Sequence, residues 1–501
     1  MVKSNNKNLN ILLALAVFVC GACVMIVELI GSRILAPYVG TSLIPWTTLI
    51  GVILGSLSIG YWFGGRLADI KPSQTKFGFI IMLAALAVVL LLWQSLVLKT
   101  ITPWLISVFN LSFTALLSSI FLFFIPSFLL GMITPYALRL ALVEINEAGK
   151  IAGSLYAYST LGSIAGTFLA GFVLIPLWGS FNSLACVAIV LGILSLIFLK
   201  SSIAKFFLIF LILSVLPTWY NPALFYANHQ VISDQESFYN RLFVTKANDP
   251  LTNRPIISLM SGPNLSQSAR FANGSDELVF DYTKFFRLVD YFAPANNRAL
   301  MIGGGAYSVP RDYLMHNAMA TIDVAEIDPL YTSIAQQYFN LENDPRLKIH
   351  HEDARLFLDN KNLSYDAIFV DAFNGSGSVP FHLATKEAIE KIYINLNDKG
   401  VVIVNLIGAL EGPNSDFIKS EYATYNKIFD QVKIYALGNG KSKVQNIMLV
   451  ALKNNDWPAN LPEDSELVKF LNHEVISFKA GNRILTDDWA PVDYFLAGVF
   501  K

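Results

Sequence analysis

Six stretches in the first 200 residues constrain the fold most: 11–36, 44–66, 77–98, 112–137, 151–177 and 180–199. Each is apolar and long enough to cross a bilayer as a helix. In hydrocarbon a backbone must satisfy its own hydrogen bonds, so such segments imply an α-helical membrane bundle. The composition agrees, with 54% hydrophobic residues, 15% charged residues and a mean hydropathy of +0.50 over 501 residues. Glycine and serine crowd the fifth stretch (Gly153, Ser154, Ser159, Gly162, Ser163, Gly166, Gly171), which suits helices packed backbone to backbone. A seventh stretch, 204–219, is short.

Basic residues collect in the N-terminal tail (Lys3, Lys7) and in alternate loops: Arg66, Lys71 and Lys76; Arg139 and Lys150; Lys200 and Lys205. The positive-inside rule then puts the N-terminus in the cytoplasm. Six spans keep the second half there as well, whereas a full seventh would send it outside. Within the spans, Glu28 with Arg33, and Arg66 with Asp69, read either as ion pairs pinning helices or as a polar pathway. Gly64-Gly65-Arg66-Leu67-Ala68-Asp69 resembles a loop of major-facilitator transporters, over six residues. Cys20 and Cys23 have CxxC spacing but no second pair, so they read as small helix residues and no metal site is expected. A net charge of −1 argues against nucleic acid as partner.

The polar half divides into a small β unit with a connecting helix (223–295) and an α/β domain (296–501), after a membrane domain of 1–222. Residues 220–236 read as a linker, Arg241–Ala247 and Pro255–Met260 as strands, and 278–293 as a helix. Leu300-Met301-Ile302 is an apolar run with no polar face, as in a parallel strand covered on both sides. Gly303, Gly304 and Gly305 follow, where the backbone can turn and approach a ligand. A helix over 306–316 must hold Pro310 in its first turn. The next strand, 320–325, ends on Glu326, 23 residues beyond Gly303, where a Rossmann-like unit places the carboxylate that grips ribose hydroxyls. The loop lacks the third glycine of the dinucleotide fingerprint, since Ser308 stands there. Strands at 347–350 and 365–370 deliver Asp353 and Asp371 to the same edge. Three acids at successive strand ends suit adenosine plus a cationic group better than a pyrophosphate. Strands 432–437 and 445–452, joined across Asn439-Gly440, add a hairpin. The expectation is a Rossmann-type, S-adenosylmethionine (SAM) methyltransferase-like seven-stranded sheet.

Ser237-Phe238-Tyr239-Asn240-Arg241, Gln267-Ser268, Asp281-Tyr282, Gly303-Gly304-Gly305, Glu326-Ile327-Asp328, Asp371, Pro380-Phe381-His382-Leu383 and Thr486-Asp487-Asp488 together resemble the membrane-fused relatives of spermidine synthase. The resemblance covers most of 236–495 and, more loosely, the membrane half. It implies that Glu326 binds ribose and Asp353 adenine, that Gly303, Gly304 and Gly305 hold the aminoacyl tail, and that Asp371 faces the reacting amine. Tyr282 and Tyr239 join Asp371 as candidate catalytic residues, and Gln267 joins the binding set. Three departures stand out. Ala306 replaces the acid that follows the glycine loop in the soluble synthases. Their Asp-x-x-Asp-Pro becomes Asp371-Ala372-Phe373-Asn374-Gly375. Their Tyr-His-Glu becomes Tyr282-Thr283-Lys284. A buried dication without carboxylates is expensive.

The chemistry implied is displacement of the sulfonium at the γ carbon of its aminoacyl or aminopropyl chain, the carbon bonded to sulfur, releasing methylthioadenosine. With acids lost and a lysine gained, the residues favour a SAM lyase in which the substrate's own carboxylate closes homoserine lactone. Aminopropyl transfer from decarboxylated SAM, as in polyamine synthesis, is the first alternative. A methyltransferase on a membrane substrate and a SAM-gated carrier are the others. Expected partners are a small-molecule substrate and the lipid bilayer, with the catalytic half in the cytoplasm and a homo-oligomer left open.

Overall fold

A computed structural model of the chain describes residues 2–40, 43–109, 111–142, 144, 147–199, 230–262, 265–359, 363–373, 379–454, 456–461, 465–496 and 499. The stretch 204–219, residues 220–229 and the pair Asn374-Gly375 lie outside them. Two compact units emerge: Met1–Ala227 with Glu236–Phe238, and Asn228–Gln235 with Tyr239–Lys501.

The described residues of the first unit up to Leu199 build helices α1 (Val2–Val39), α2 (Leu43–Ile70), α3 (Gln74–Val108), α4 (Leu111–Gly131), α5 (Ile133–Ala141), α6 (Ala148–Leu169) and α7 (Ile175–Leu199). Among the described residues five helices are long and apolar enough to cross a membrane, and the fifth covers Ala148–Leu199. That helix is broken at Gly179, whose φ of 73° and ψ of 170° no α-helix contains. The break falls between the fifth and sixth stretches read from the sequence. Close packing of small residues is borne out. A side chain at Gly162 would stand 1.9 Å from the Phe18 carbonyl oxygen, and one at Gly166 2.4 Å from that of Ala22, so α6 lies directly on α1. The ion pairs are not as expected. Arg33 bonds Glu236 at 3.1 Å rather than Glu28, and Asp69 bonds Arg139 at 3.1 Å, while Arg66 lies over the Trp62 ring. Five residues along a helix point away from each other, whereas a chain neighbour in space can meet Arg33 directly.

The second unit begins with a four-stranded antiparallel sheet in the order β1 (Gln230–Glu236), β2 (Arg241–Asn248), β3 (Pro255–Gly262), β4 (Leu265–Phe271). Two of these strands were not read from the sequence. The outer strand β1, taken as linker, is held to β2 by Arg241, which grips Asp234 with two nitrogens at 2.7 and 2.9 Å. Its alternating partly buried pattern carries few large apolar residues, so the period-2 signal is weak.

The larger sheet contains β5 (Arg298–Ile302), β6 (Thr321–Ala325), β7 (Leu347–His350), β8 (Tyr365–Val370), β9 (Leu396–Gly408), β10 (Gln431–Ala436) and β11 (Gln445–Leu452). Its order is β10-β11-β9-β8-β5-β6-β7, parallel except where β11 pairs antiparallel with β9 and β10. This is the methyltransferase-like Rossmann sheet with its terminal hairpin. Ala299 and Met301 face one apolar core with Val324, Phe369 and Ile403; Leu300 and Ile302 face the other with Ile368, Val370 and Val404. Helices α8 (Ser308–His316) and α9 (Pro329–Tyr338) follow β5 and β6, and Pro310 falls in the first turn of α8. The chain leaves β5 toward β6 on one side and pairs with β8 on the other. That switch of direction opens a crevice beyond the strand carboxyl ends.

Candidate active site

One further ladder bond fixes each strand end at this crevice. The N–H of Gly303 donates to the Ala325 carbonyl, that of Glu326 to His350, and that of Asp371 to Ile302 (3.0, 3.0 and 2.9 Å). The glycines follow from that geometry. Gly303 has φ +89°, and a Cβ there would lie 2.5 Å from the Asp371 carbonyl oxygen. Gly305 has φ +51° and would carry its Cβ 3.0 Å from Ser268 Oγ. The loop is thus pressed between the β8 end and β4, and Ala306 N–H donates to Ser268 Oγ.

Glu326 is buried at the end of β6. Its Oε2 accepts from Gly304 N–H at 2.8 Å and its Oε1 from Asp328 N–H at 2.9 Å. Burial pushes its carboxyl up to about 7 against the pull of those N–H groups, and the nearby Asp328 charge adds to the rise. Each oxygen keeps a lone pair that could accept a sugar hydroxyl. Gln267, on β4, reaches the same region: its Oε1 accepts from Tyr331 of α9, and its Nε2 donates to Ser261. Burial, with the Glu326 and Asp328 charges, holds the Tyr331 phenol protonated far above its ordinary range.

Asp371 stands directly after β8, half-buried. Its Oδ1 accepts from Asn405 Nδ2 at 2.9 Å, and Asn405 Oδ1 accepts from Asn446 Nδ2 at 2.9 Å. Burial pushes the Asp371 carboxyl up to about 6, opposed by the Asn405 hydrogen bond. The Tyr282 hydroxyl donates to the Gln267 carbonyl at 3.2 Å; burial first, and then the Asp371 charge, raise its pKa well above the phenol range. Gly303, Gly304, Gly305, Glu326, Gln267, Tyr282 and Asp371 therefore form one connected group.

Asp353 sits one strand further along. Its Oδ1 caps the short helix Ala354–Phe357 through the N–H groups of Arg355 and Leu356, and its Oδ2 lies 3.0 Å from His382 Nε2. Thr385 caps the next helix, Lys386–Asn395. Asp487 bonds Arg355 and Thr385. Tyr239 is exposed in the turn between β1 and β2 and is not among the residues these contacts join. Lys284, counted as a gained cation, turns to Asp281 at 3.7 Å and Glu466 at 3.5 Å. Sequence reasoning missed Asn405. Its signal was present: one polar residue inside the apolar run Val401–Ile407.

Residues 285–437 match the spermine/spermidine synthase domain. A polyamine aminopropyltransferase of Vibrio vulnificus is 28% identical over 205 residues, covering 40% of this chain and 66% of the relative. One from Streptomyces coelicolor is 24% identical over 397 residues, covering 73% of this chain and 70% of its own length. Among solved structures, a probable spermidine synthase from Corynebacterium glutamicum aligns with a TM-score of 0.39 and 19% identity, over 54% of this chain and 94% of that one. The chain thus spans about two-thirds of the first two curated relatives it matches, and the domain match lies wholly in its second half.

Proposed function

We propose that the second half binds the nucleoside of a SAM-type sulfonium and transfers its aminopropyl group to an amine, releasing methylthioadenosine. The observation that carries this is that two acids stand at strand ends either side of the glycine loop. Glu326 accepts from Gly304 N–H and the Asp371 backbone lies against Gly303, which supports a sugar at the first and the reacting tail at the second. The domain match over the same residues supports it.

The reaction breaks the bond from carbon γ to sulfur as the amine nitrogen bonds to that carbon. The sulfur leaves with the electron pair as the neutral thioether. The sulfonium is already activated, so the protein's tasks are position and charge. Glu326 orients the ribose, Asp353 meets the base through Oδ2, and Asp371 holds the cationic amine and takes up or shares its proton. Tyr282, with Gln267, walls the tail. Tyr239 is proposed as a residue that completes the site over the acceptor. The helical half is proposed to anchor the enzyme in a bilayer, with the catalytic half in the cytoplasm.

Lactone closure by a SAM lyase, preferred from the sequence, loses ground to transfer. The relatives matched are aminopropyltransferases, and Lys284 is engaged with Asp281 and Glu466. Ala306 still favours it, since no acid stands there to hold an ammonium. Full-length protein in detergent, given decarboxylated SAM with putrescine or SAM alone, separates the two. Methylthioadenosine only with decarboxylated SAM and an amine supports transfer. Methylthioadenosine and homoserine lactone from SAM alone overturn it.

A further inference from the structure

Asn405 lies in a strand that otherwise reads Val-Val-Ile-Val-Asn-Leu-Ile, and it is 3% exposed. Strand alternation puts it on the same face as Val401 and Ile403, the face that also holds Phe369 of β8 and Met448 of β11. Asp371 is two residues beyond Phe369, and Asn446 two before Met448, which stands opposite Asn405 in the ladder. Three polar side chains from three adjacent strands therefore meet on one face of an apolar sheet. A buried amide with no partner would cost stability, and this one is paired at both ends.

The chain of bonds has a direction. Asn446 Nδ2 donates to Asn405 Oδ1, so the opposite side of the Asn405 amide, its Nδ2, points to Asp371 Oδ1, both at 2.9 Å. The Asp371 carboxylate, an acceptor only, already favours the amide nitrogen, and the Asn446 donor on Asn405 Oδ1 adds to that choice and fixes the plane of the amide. A flipped amide would set two acceptors against each other.

We propose that Asn405, itself oriented by Asn446, is a positioning residue that fixes one oxygen of Asp371 and leaves the other aimed at the substrate tail. This rests on the reading of Asp371 as the acid of the reaction. Neither asparagine touches substrate. The relay fixes one rotamer of the carboxylate, and a misplacement of about 1 Å at a reacting group costs up to about 10²-fold in rate.

The test is a double-mutant cycle on the full-length chain in detergent, reading methylthioadenosine release from decarboxylated SAM and amine. Asn446→Leu is the informative variant, because it changes no atom next to Asp371, and Asn405→Leu is the stronger one. Asn446→Leu is expected to lower kcat about tenfold with KM for the sulfonium substrate within twofold, and Asn405→Leu to lower it further. In the Asp371→Asn background, Asn446→Leu is expected to add nothing, which a general loss of stability would not produce. Asn446→Gln, which can still donate, is expected to recover part of the loss. Full activity of Asn446→Leu, or losses that multiply with Asp371→Asn, overturn the relay while leaving the transfer reading in place. Near-normal turnover by Asp371→Asn, or no methylthioadenosine from the unaltered chain, takes down the transfer reading instead.

Discussion

Glu326 shows how one side chain ties the site to the pH. Its carboxyl is raised to about 7 by burial, while an unfolded chain ionises near 4.5. The folded state thus binds the extra proton between those values, so this contribution to stability is complete below about 4.5 and is lost as the pH rises through 7. Nucleoside binding runs the other way, because a ribose hydroxyl donates best to the ionised acid. Methylthioadenosine affinity measured by calorimetry should therefore strengthen from pH 6 to pH 8. Glu326→Gln should weaken it at least about tenfold at pH 8, roughly 1.4 kcal/mol, and flatten the dependence. Unchanged affinity in Glu326→Gln would remove it from the site. Asp371, raised to about 6, adds a second limb: turnover should fall as the pH drops through 6. Asp371→Asn should cost on the order of 10²-fold in rate. Both acids were legible in the sequence because each directly follows an apolar strand. Asn405 shows in the sequence only as a lone polar residue in an apolar run; its role depends on which strands flank β9, and only the sheet order supplies that.

At the scale of elements, the glycine loop is the least replaceable. Gly303→Ala would set a Cβ 2.5 Å from the Asp371 carbonyl at a φ of +89°, so strand β5 and the end of β8 must part to admit it. A strained φ alone costs of order 1–3 kcal/mol. The expected outcome is loss of methylthioadenosine binding together with a lower melting temperature in the full-length chain. Retention of both would show that the loop has room. Gly162 makes the parallel case in the helical half. Gly162→Leu should separate α6 from α1 and expose the pair to proteolysis, because the Phe18 carbonyl occupies the space a side chain needs. The strands at 300–302, 320–325 and 365–370 were readable because each is mainly apolar and lies between turn signals, whereas β9, parallel to β8, was not read although Val401–Ile407 is nearly all apolar. Strands β1 and β4 escaped, since their residues are Gln-Val-Ile-Ser-Asp-Gln-Glu and Leu-Ser-Gln-Ser-Ala-Arg-Phe, where half-buried polar side chains mask the alternation. The ion pairs of the first unit escaped for a related reason. Arg33 finds Glu236 some 200 residues away, and no local spacing encodes that.

For the molecule as a whole, the helical half was visible in composition, and the α/β half in its short apolar strands, glycine turn and intervening helix. The charge asymmetry of the loops predicts that cysteines placed in the 66–76 loop are labelled only from the cytoplasmic side. Labelling from outside would reverse the proposed topology. The reaction is the central claim, and its products test it most directly. Full-length protein incubated with decarboxylated SAM and putrescine, analysed by mass spectrometry, should yield methylthioadenosine and the aminopropylated amine in equal amounts. With SAM alone it should yield neither. Methylthioadenosine with homoserine lactone from SAM alone, S-adenosylhomocysteine in its place, or substrate bound and returned intact would contradict the account.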